Sequence, residues 1–289
     1  MKKFFIAALS AVLCVVSALS VTACADPNAI YVDTNAYFAP FEYFGGKSGK
    51  EIVGVDVDIM NMVGEHLGKR VVFENTKFEV IIDNVAQGKK YDCGAAGITI
   101  TEERKAKVAF SDPYFTSVQY AIFPASAEVA SSKDGDTDYV LWGALAGKTI
   151  GYQRDTTGDI YVNLEINGEK GETPEDDYIG QLQGSSASGV GYDSAQLAVD
   201  AIGANQVDAV VVDKLPAEYI VNNNKNYKCY AVYYPADADN AAAYPTEEQY
   251  AICVTKGNTE LLDAINSVLA GLGEAGGINA LVAKHLGIN

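Results

Sequence analysis

From Ala29 onward, short apolar runs alternate with amphipathic stretches of helical length. Ala29 to Val32 has the length and composition of a strand, and the loop from Asp33 to Tyr43 carries Asn35, Tyr37, Phe38 and Phe41 around Pro40. Asp56 to Leu67 places Ile59, Met62, Val63 and Leu67 on one helical face and ends at Gly68, a residue suited to closing a helix. Arg70 to Glu74 reads as a strand, Phe78 to Gln87 as an amphipathic helix with Ile81 and Val85 inward, and Tyr91 to Gly97 as a strand. Strands alternating with helices of this length predict βαβ units and a mostly parallel sheet. Ligands of such sheets sit beyond the C-terminal strand ends, where the loops at Asn35, Phe78 and Gly97 fall.

The stretch Gly97 to Phe115 reads as a strand end, a helix with a charged first turn, a short strand and a Pro-containing turn. Thr99 and Glu102 match a capping box. Arg104 then falls inside the first turn, where a cation opposes the helix dipole. Two readings are open: an Arg that meets an anion at this helix end, or a solvated Arg paired with Glu102 or Glu103.

The second half repeats the rhythm. Gln119 to Phe123 is a strand leaving a first lobe, and Ala125 to Tyr139 is a polar, aperiodic surface connection. Lys148 to Gln153, a turn from Arg154 to Gly158, and a helix through Leu164 open a second lobe. Asn167 to Gly191 is rich in Gly, Glu, Asp and Ser and reads as a long acidic surface loop. Asp193 is placed to cap a helix bearing Leu197, Ala198, Ala201 and Ile202. Val207 to Val212 is a continuous apolar run, a strand buried on both faces, and Asp213 ends it as a possible N-cap of the helix at Lys214. Lys228 to Tyr234 reads as a strand returning to the first lobe, followed by the strand Tyr250 to Val254 and helices at Thr259–Leu272 and Gly277–Leu286. Lobe one is thus discontinuous, 29–121 with 236–289, and lobe two is 122–235. Two connections at one edge make a hinge.

Composition changes the picture at the N-terminus. Lys2 and Lys3 precede the apolar run Phe4 to Val16 and the small residues Val21-Thr22-Ala23, so 1–23 reads as a signal peptide, too short and poorly flanked for a stable membrane span. Val21-Thr22-Ala23-Cys24 resembles a bacterial lipobox, which makes Cys24 an acylated first residue and 24–28 a lipidated linker. Ala23-Cys24-Ala25 also fits ordinary cleavage and a soluble periplasmic or secreted protein. About 265 residues remain, enough for two lobes. The net charge of −17, or −19 once Lys2 and Lys3 leave, argues against nucleic acid and anionic lipid as partners. Of five cysteines, Cys93, Cys229 and Cys253 lie in apolar runs and read as buried free thiols. No metal-ligand spacing, P-loop or dinucleotide fingerprint occurs, and no cofactor is expected.

Several motifs, in order, carry a resemblance. Gly97 to Arg104 matches G-x-T-I-T-x-E-R and runs on to F-S-D-P-Y. Ala39-Pro40-Phe41-Glu42 matches x-P-F-E, and Val53 to Asp58 matches V-G-F-D-x-D. Gly151-Tyr152-Gln153 with Thr156-Thr157 matches G-x-x-x-G-T-T with Asp155 replacing Gly, and Val207 to Asp213 matches V-D-A-x-x-x-D. These resemble the solute-binding proteins of polar amino-acid ABC transporters. The resemblance implies a two-lobed periplasmic-binding-protein type II α/β fold, each lobe a mostly parallel sheet flanked by helices. It implies a monomeric, non-enzymatic lipoprotein that binds an L-amino acid between the lobes and hands it to an ABC permease. Arg104 would take the α-carboxylate, helped by backbone N–H groups at Thr99, Thr156 and Thr157. Asp213, the Gly97 carbonyl and the Thr99 hydroxyl would hold the α-ammonium. Phe38 would form one wall and Asn35 would face the ligand side chain; Phe78, at one of the strand-end loops, is a further candidate ligand-binding residue. A neutral amide at Asn35, with Ala96 and Gly158 at often polar positions, favours a neutral polar or sulfur-containing ligand over a basic one. The resemblance also puts the Cys93 and Cys253 strands in one sheet, where a bridge is possible. A sensor feeding a signalling partner and a dehydratase-like enzyme share the fold. Glu42 and Glu79 are the only carboxylates available for catalysis, and neither has a His or Cys partner.

Overall fold

The structure, a computed structural model, describes residues 26–274 and 276–287. The signal peptide, the lipobox and Cys24 lie outside the described residues.

The alternation folds as expected into two sheets. The first has five strands in the order Arg70–Asn75, Ala29–Thr34, Cys93–Gly94, Cys253–Val254, Ala109–Phe110. The first three run parallel, and Cys253–Val254 is antiparallel to both its neighbours. Helix Val55–Leu67 closes at Gly68 in the left-handed conformation and packs on helix Thr259–Glu274. Its deepest residues are Ile59, Met60 and Val63, all fully buried; Met62, expected on that face, is only half-buried. Burying such side chains contributes on the order of 1.5–3 kcal/mol each. Helix Phe78–Gln87 buries Ile81 and Val85, as its periodicity predicts.

In the second sheet Ser188–Tyr192, Thr149–Gln153 and Ala209–Asp213 run parallel, and Ala209–Asp213 is antiparallel to the long strand Phe115–Pro124. The apolar run at 209–213 is buried throughout. Tyr227–Tyr234 pairs with the far side of Phe115–Pro124. The expected return to the first lobe at Lys228–Tyr234 is therefore corrected, since that strand stays inside the second sheet. The chain crosses back later, where Glu247–Tyr250 pairs antiparallel with Phe115–Val118. Tyr244–Pro245 still pairs with Tyr227–Tyr234. Both segments are strand-like, and a strand's own pattern does not name its partner.

Three other expectations change. The supposed connection at 125–139 contains the antiparallel pair Ser132–Asp134 and Thr137–Leu141, the second joining the sheet beside Tyr227–Tyr234. The acidic stretch 167–191 is anchored rather than merely looped out. Glu165, fully buried on the preceding helix, accepts from the Tyr178 hydroxyl at 2.7 Å and the Gln181 backbone N–H at 2.7 Å. The last residues of that stretch begin the edge strand Ser188–Tyr192. Cys93, Cys229 and Cys253 are all free, so the possible Cys93–Cys253 bridge is absent although their strands adjoin.

Candidate functional site

All nine residues singled out from the sequence line one small, tightly closed cavity between the two sheets, joined by Ala96 and Gln153. Each arrives from a strand end or a helix start. Asn35 follows strand Ala29–Thr34, and Phe78 begins helix Phe78–Gln87. Gly97 and Thr99 follow strand Cys93–Gly94, and Asp213 ends its own strand. Thr156 is the N-cap of helix Thr157–Asn167, its hydroxyl accepting from the Asp159 N–H.

Two of these positions depend on backbone shape. Gly97 has φ +54°, and a Cβ there would lie 2.8 Å from the Phe38 ring, so both conformation and contact demand glycine. Asp155 stands where the resembled motif has glycine and takes φ 59°, a left-handed conformation that Asp tolerates better than most residues. The turn keeps the shape a glycine would give it.

Arg104 is 8% exposed. The cap of its helix is Thr101, whose hydroxyl accepts from the Arg104 N–H, not the expected Thr99–Glu102 box. The solvated reading fails. The guanidinium leaves Glu102 and Glu103 to Lys105 and Lys107 and turns inward. It donates to the Thr99 carbonyl at 2.8 Å and, across the lobes, to the Asp155 carbonyl at 2.7 Å. Two carbonyls leave further N–H donors of the fork over. Burial pulls its pKa down, but arginine remains charged.

The opposite charge is as deeply placed. Asp213 occupies the N-cap position of helix Lys214–Asn223 without a side-chain capping bond. Its carboxylate instead accepts from the Tyr250 hydroxyl at 2.5 Å. Burial first, then the nearby Glu248, push its pKa well above the usual carboxylate range. Asp193, expected to cap the next helix, gives that place to Ser194 and pairs with Lys77 and Arg154.

Glu248 is the residue that sequence reasoning missed. It is 6% exposed and lies on the returning strand. One of its oxygens accepts from the hydroxyls of both Thr99, at 2.7 Å, and Thr157; the other accepts from the Gln119 amide. A single carboxylate thus ties the two sheets together beside the cavity. The sequence Glu-Glu-Gln-Tyr shows no alternation of its own; only the folded strand, exposed and buried in turn, puts Glu248 on the face of the fully buried Tyr250.

A second buried acid stands behind Gly97. Asp56 accepts from the Gly97 N–H at 2.9 Å and from the Tyr114 hydroxyl at 2.6 Å, and burial raises its pKa to about 6. Glu42 beside it is wholly buried and neither oxygen has a hydrogen-bond partner. Burial and the neighbouring Asp56 drive its pKa well up, and Glu42 does not line the cavity. Glu79, the other nominated acid, lines a wider open groove outside the cavity with Asp83, Glu103, Asp155, Asp159 and Glu169. Among the described residues no cluster of His, Cys, Asp and Glu could hold a metal, and no helix is long and apolar enough to cross a membrane.

Comparison with known proteins gives a consistent answer. The sequence profile of the bacterial extracellular solute-binding proteins, family 3, matches residues 30–288. A probable histidine-binding protein of Neisseria gonorrhoeae is 27% identical, over 99% of this chain and 96% of its own length. The L-cystine-binding protein TcyJ of Escherichia coli (strain K12) is 25% identical, over 89% of this chain and 82% of its own. The arginine-bound form of a truncated ArgBP from T. maritima is 31% identical with a TM-score of 0.66, over 85% of this chain and 96% of that one.

Proposed function

Because the chain belongs to the bacterial extracellular solute-binding proteins, family 3, whose relatives named above are binding proteins rather than enzymes, we propose that it binds one L-amino acid between its lobes and delivers it to an ABC permease. The observation that carries this reading is the pairing of buried Arg104 and buried Asp213 in one cavity, each reaching it from a different sheet. Opposite charges on opposite lobes are both satisfied by a zwitterion. Arg104 takes the α-carboxylate with the N–H groups at Thr156 and Thr157, and Asp213 takes the α-ammonium with the Gly97 carbonyl and the Thr99 hydroxyl. Phe38 and Phe78 supply apolar walls. Phe78 also lies 5.4 Å from the Arg104 guanidinium carbon, where an aromatic face keeps water from the ion pair.

The lobes close about the paired strands Phe115–Val118 and Glu247–Tyr250. Carboxylates around the outer groove disfavour an anionic side chain. Asn35 and Gln153 offer amides rather than charges, which supports a neutral polar ligand over a basic one. Lipid on Cys24 holds the monomer at the membrane, two acyl chains sufficing for stable anchoring. A dehydratase is not favoured, since Glu42 is sealed in the core and Glu79 stands outside the cavity.

A thermal-shift screen over the common amino acids and cystine tests the binding role, because a ligand of the folded form raises its melting midpoint. At least one amino acid should stabilise the protein, and none should be turned over. A flat screen removes the amino-acid reading. Fractionation of cells carrying Cys24→Ser tests the anchor: the variant should leave the membrane, and wild type found only in the medium contradicts it.

A further inference from the structure

We propose that the end of the cavity formed by Asn35 and Gln153 selects an amino acid whose side chain ends in a primary carboxamide. The inference rests on the amino-acid reading above, in which Arg104 and Asp213 serve the two charged groups common to all such ligands and leave this pair for the side chain.

Both amides are buried, and a backbone partner fixes the orientation of each. The Asn35 amide nitrogen donates to the Thr76 carbonyl at 2.7 Å, and a carbonyl can only accept. The Gln153 amide oxygen accepts from the Ala195 N–H at 3.3 Å, and a backbone N–H can only donate. Neither amide can turn without placing like poles together. While each amide nitrogen keeps one further N–H, the groups that face each other are an acceptor, Asn35 Oδ1, and a donor, Gln153 Nε2. They meet at 3.0 Å across the lobe boundary.

A side chain entering here breaks that bond and must replace both halves, or a buried polar group is left unpaired. A primary carboxamide carries an N–H donor and an oxygen acceptor on one carbon, side by side, and satisfies both. A guanidinium or ammonium only donates and confronts the Gln153 N–H with another donor. A carboxylate only accepts and confronts the Asn35 oxygen. Neutral imidazole has one donor and one acceptor, but on diverging edges of the ring, so it cannot serve two groups 3.0 Å apart.

The experiment is calorimetric titration of the whole protein with glutamine, asparagine, arginine, histidine, glutamate and cystine. Glutamine or asparagine should bind at least tenfold more tightly than any of the others. Arginine, histidine, glutamate or cystine binding as tightly as the better amide overturns the proposal while leaving the amino-acid reading intact. Binding of none in the series overturns the proposal, and the wider thermal-shift screen then decides the amino-acid reading. Gln153→Glu sharpens the test, because it keeps the acceptor for Ala195 and turns the donor that faces Asn35 Oδ1 into a second acceptor. Carboxamide affinity should fall at least tenfold and arginine affinity should rise. An unchanged ranking in a folded variant contradicts the proposal, and the wild-type series decides independently should the variant not fold.

Discussion

Two groups of buried acids flank the cavity and are held in different ways. Asp56, Glu42 and Tyr114 sit with Gly97 on one side of the cleft, so their bonds persist whether the lobes are together or apart. Glu248 accepts from Thr99, Thr157 and Gln119, and Asp213 accepts from Tyr250; under the closure proposed above, Thr99 and Thr157 share one carboxylate only when the lobes meet. The first group fixes the shape of a binding loop. The second rewards closure. A receptor of this kind needs both: a surface that is ready before the ligand arrives, and contacts that appear only after the cleft shuts.

Substitutions should separate the two groups. The largest effect is expected from Asp213→Ala, which leaves the ligand ammonium desolvated and unpaired. That costs roughly 2–5 kcal/mol, or about 30-fold to several thousand-fold in affinity. Affinity within about threefold of wild type by calorimetry would remove Asp213 from the site. Glu248→Ala should cost less, on the order of 1.5–3 kcal/mol of ligand affinity, the scale of hydrogen bonds to a charged group. Its melting point without ligand should hardly move, because in the open form the threonines reach water. A large loss of ligand-free stability would show that Glu248 supports the core and does not reward closure. Asp56→Ala should reverse this pattern. It orphans the Gly97 N–H and the Tyr114 hydroxyl, so ligand-free stability should fall by about 1–3 kcal/mol with a smaller change in affinity.

The smallest effect is a pH dependence with an unusual sign. The Asp56 pKa is raised to about 6 from 3.8, chiefly by burial. Between those values the folded form binds more protons than the unfolded one, so stability falls as pH rises through this window. Asp213 and Glu42 shift in the same direction. The protein without ligand should therefore melt higher near pH 5 than near pH 7, and Asp56→Asn should flatten the difference. A melting point that climbs steadily from pH 4 to 7 would contradict the burial argument. Ligand should act oppositely, since Asp213 must ionise to meet an ammonium. Binding should then release protons and weaken as pH falls.

What the sequence disclosed followed the reach of each signal. Periodicity located the helices at 55–67 and 78–87 and the buried strand at 209–213, because those patterns are local. Family motifs marked Gly97, Thr99, Arg104, Thr156, Thr157 and Asp213, the wider resemblance added Asn35 and Phe38, and Phe78 stood out by its place at a strand-end loop. The Asp213 pattern also suggested a helix cap, yet its carboxylate turns to Tyr250, a choice made by tertiary packing. Glu248 and the true return strand went unread because they depend on which strand pairs with Phe115–Pro124, a contact between segments more than a hundred residues apart. The anchoring of 167–191 was hidden likewise, since one buried glutamate holds a composition that reads as a loop.

The central claim is that one zwitterion bridges Arg104 and Asp213 and draws the lobes together. Its most direct test is calorimetric titration of Arg104→Ala with an amino acid that binds wild type, beside melting curves without ligand. The account predicts an affinity loss of about 30-fold or more with the ligand-free melting point nearly unchanged. Near wild-type affinity in Arg104→Ala would contradict it.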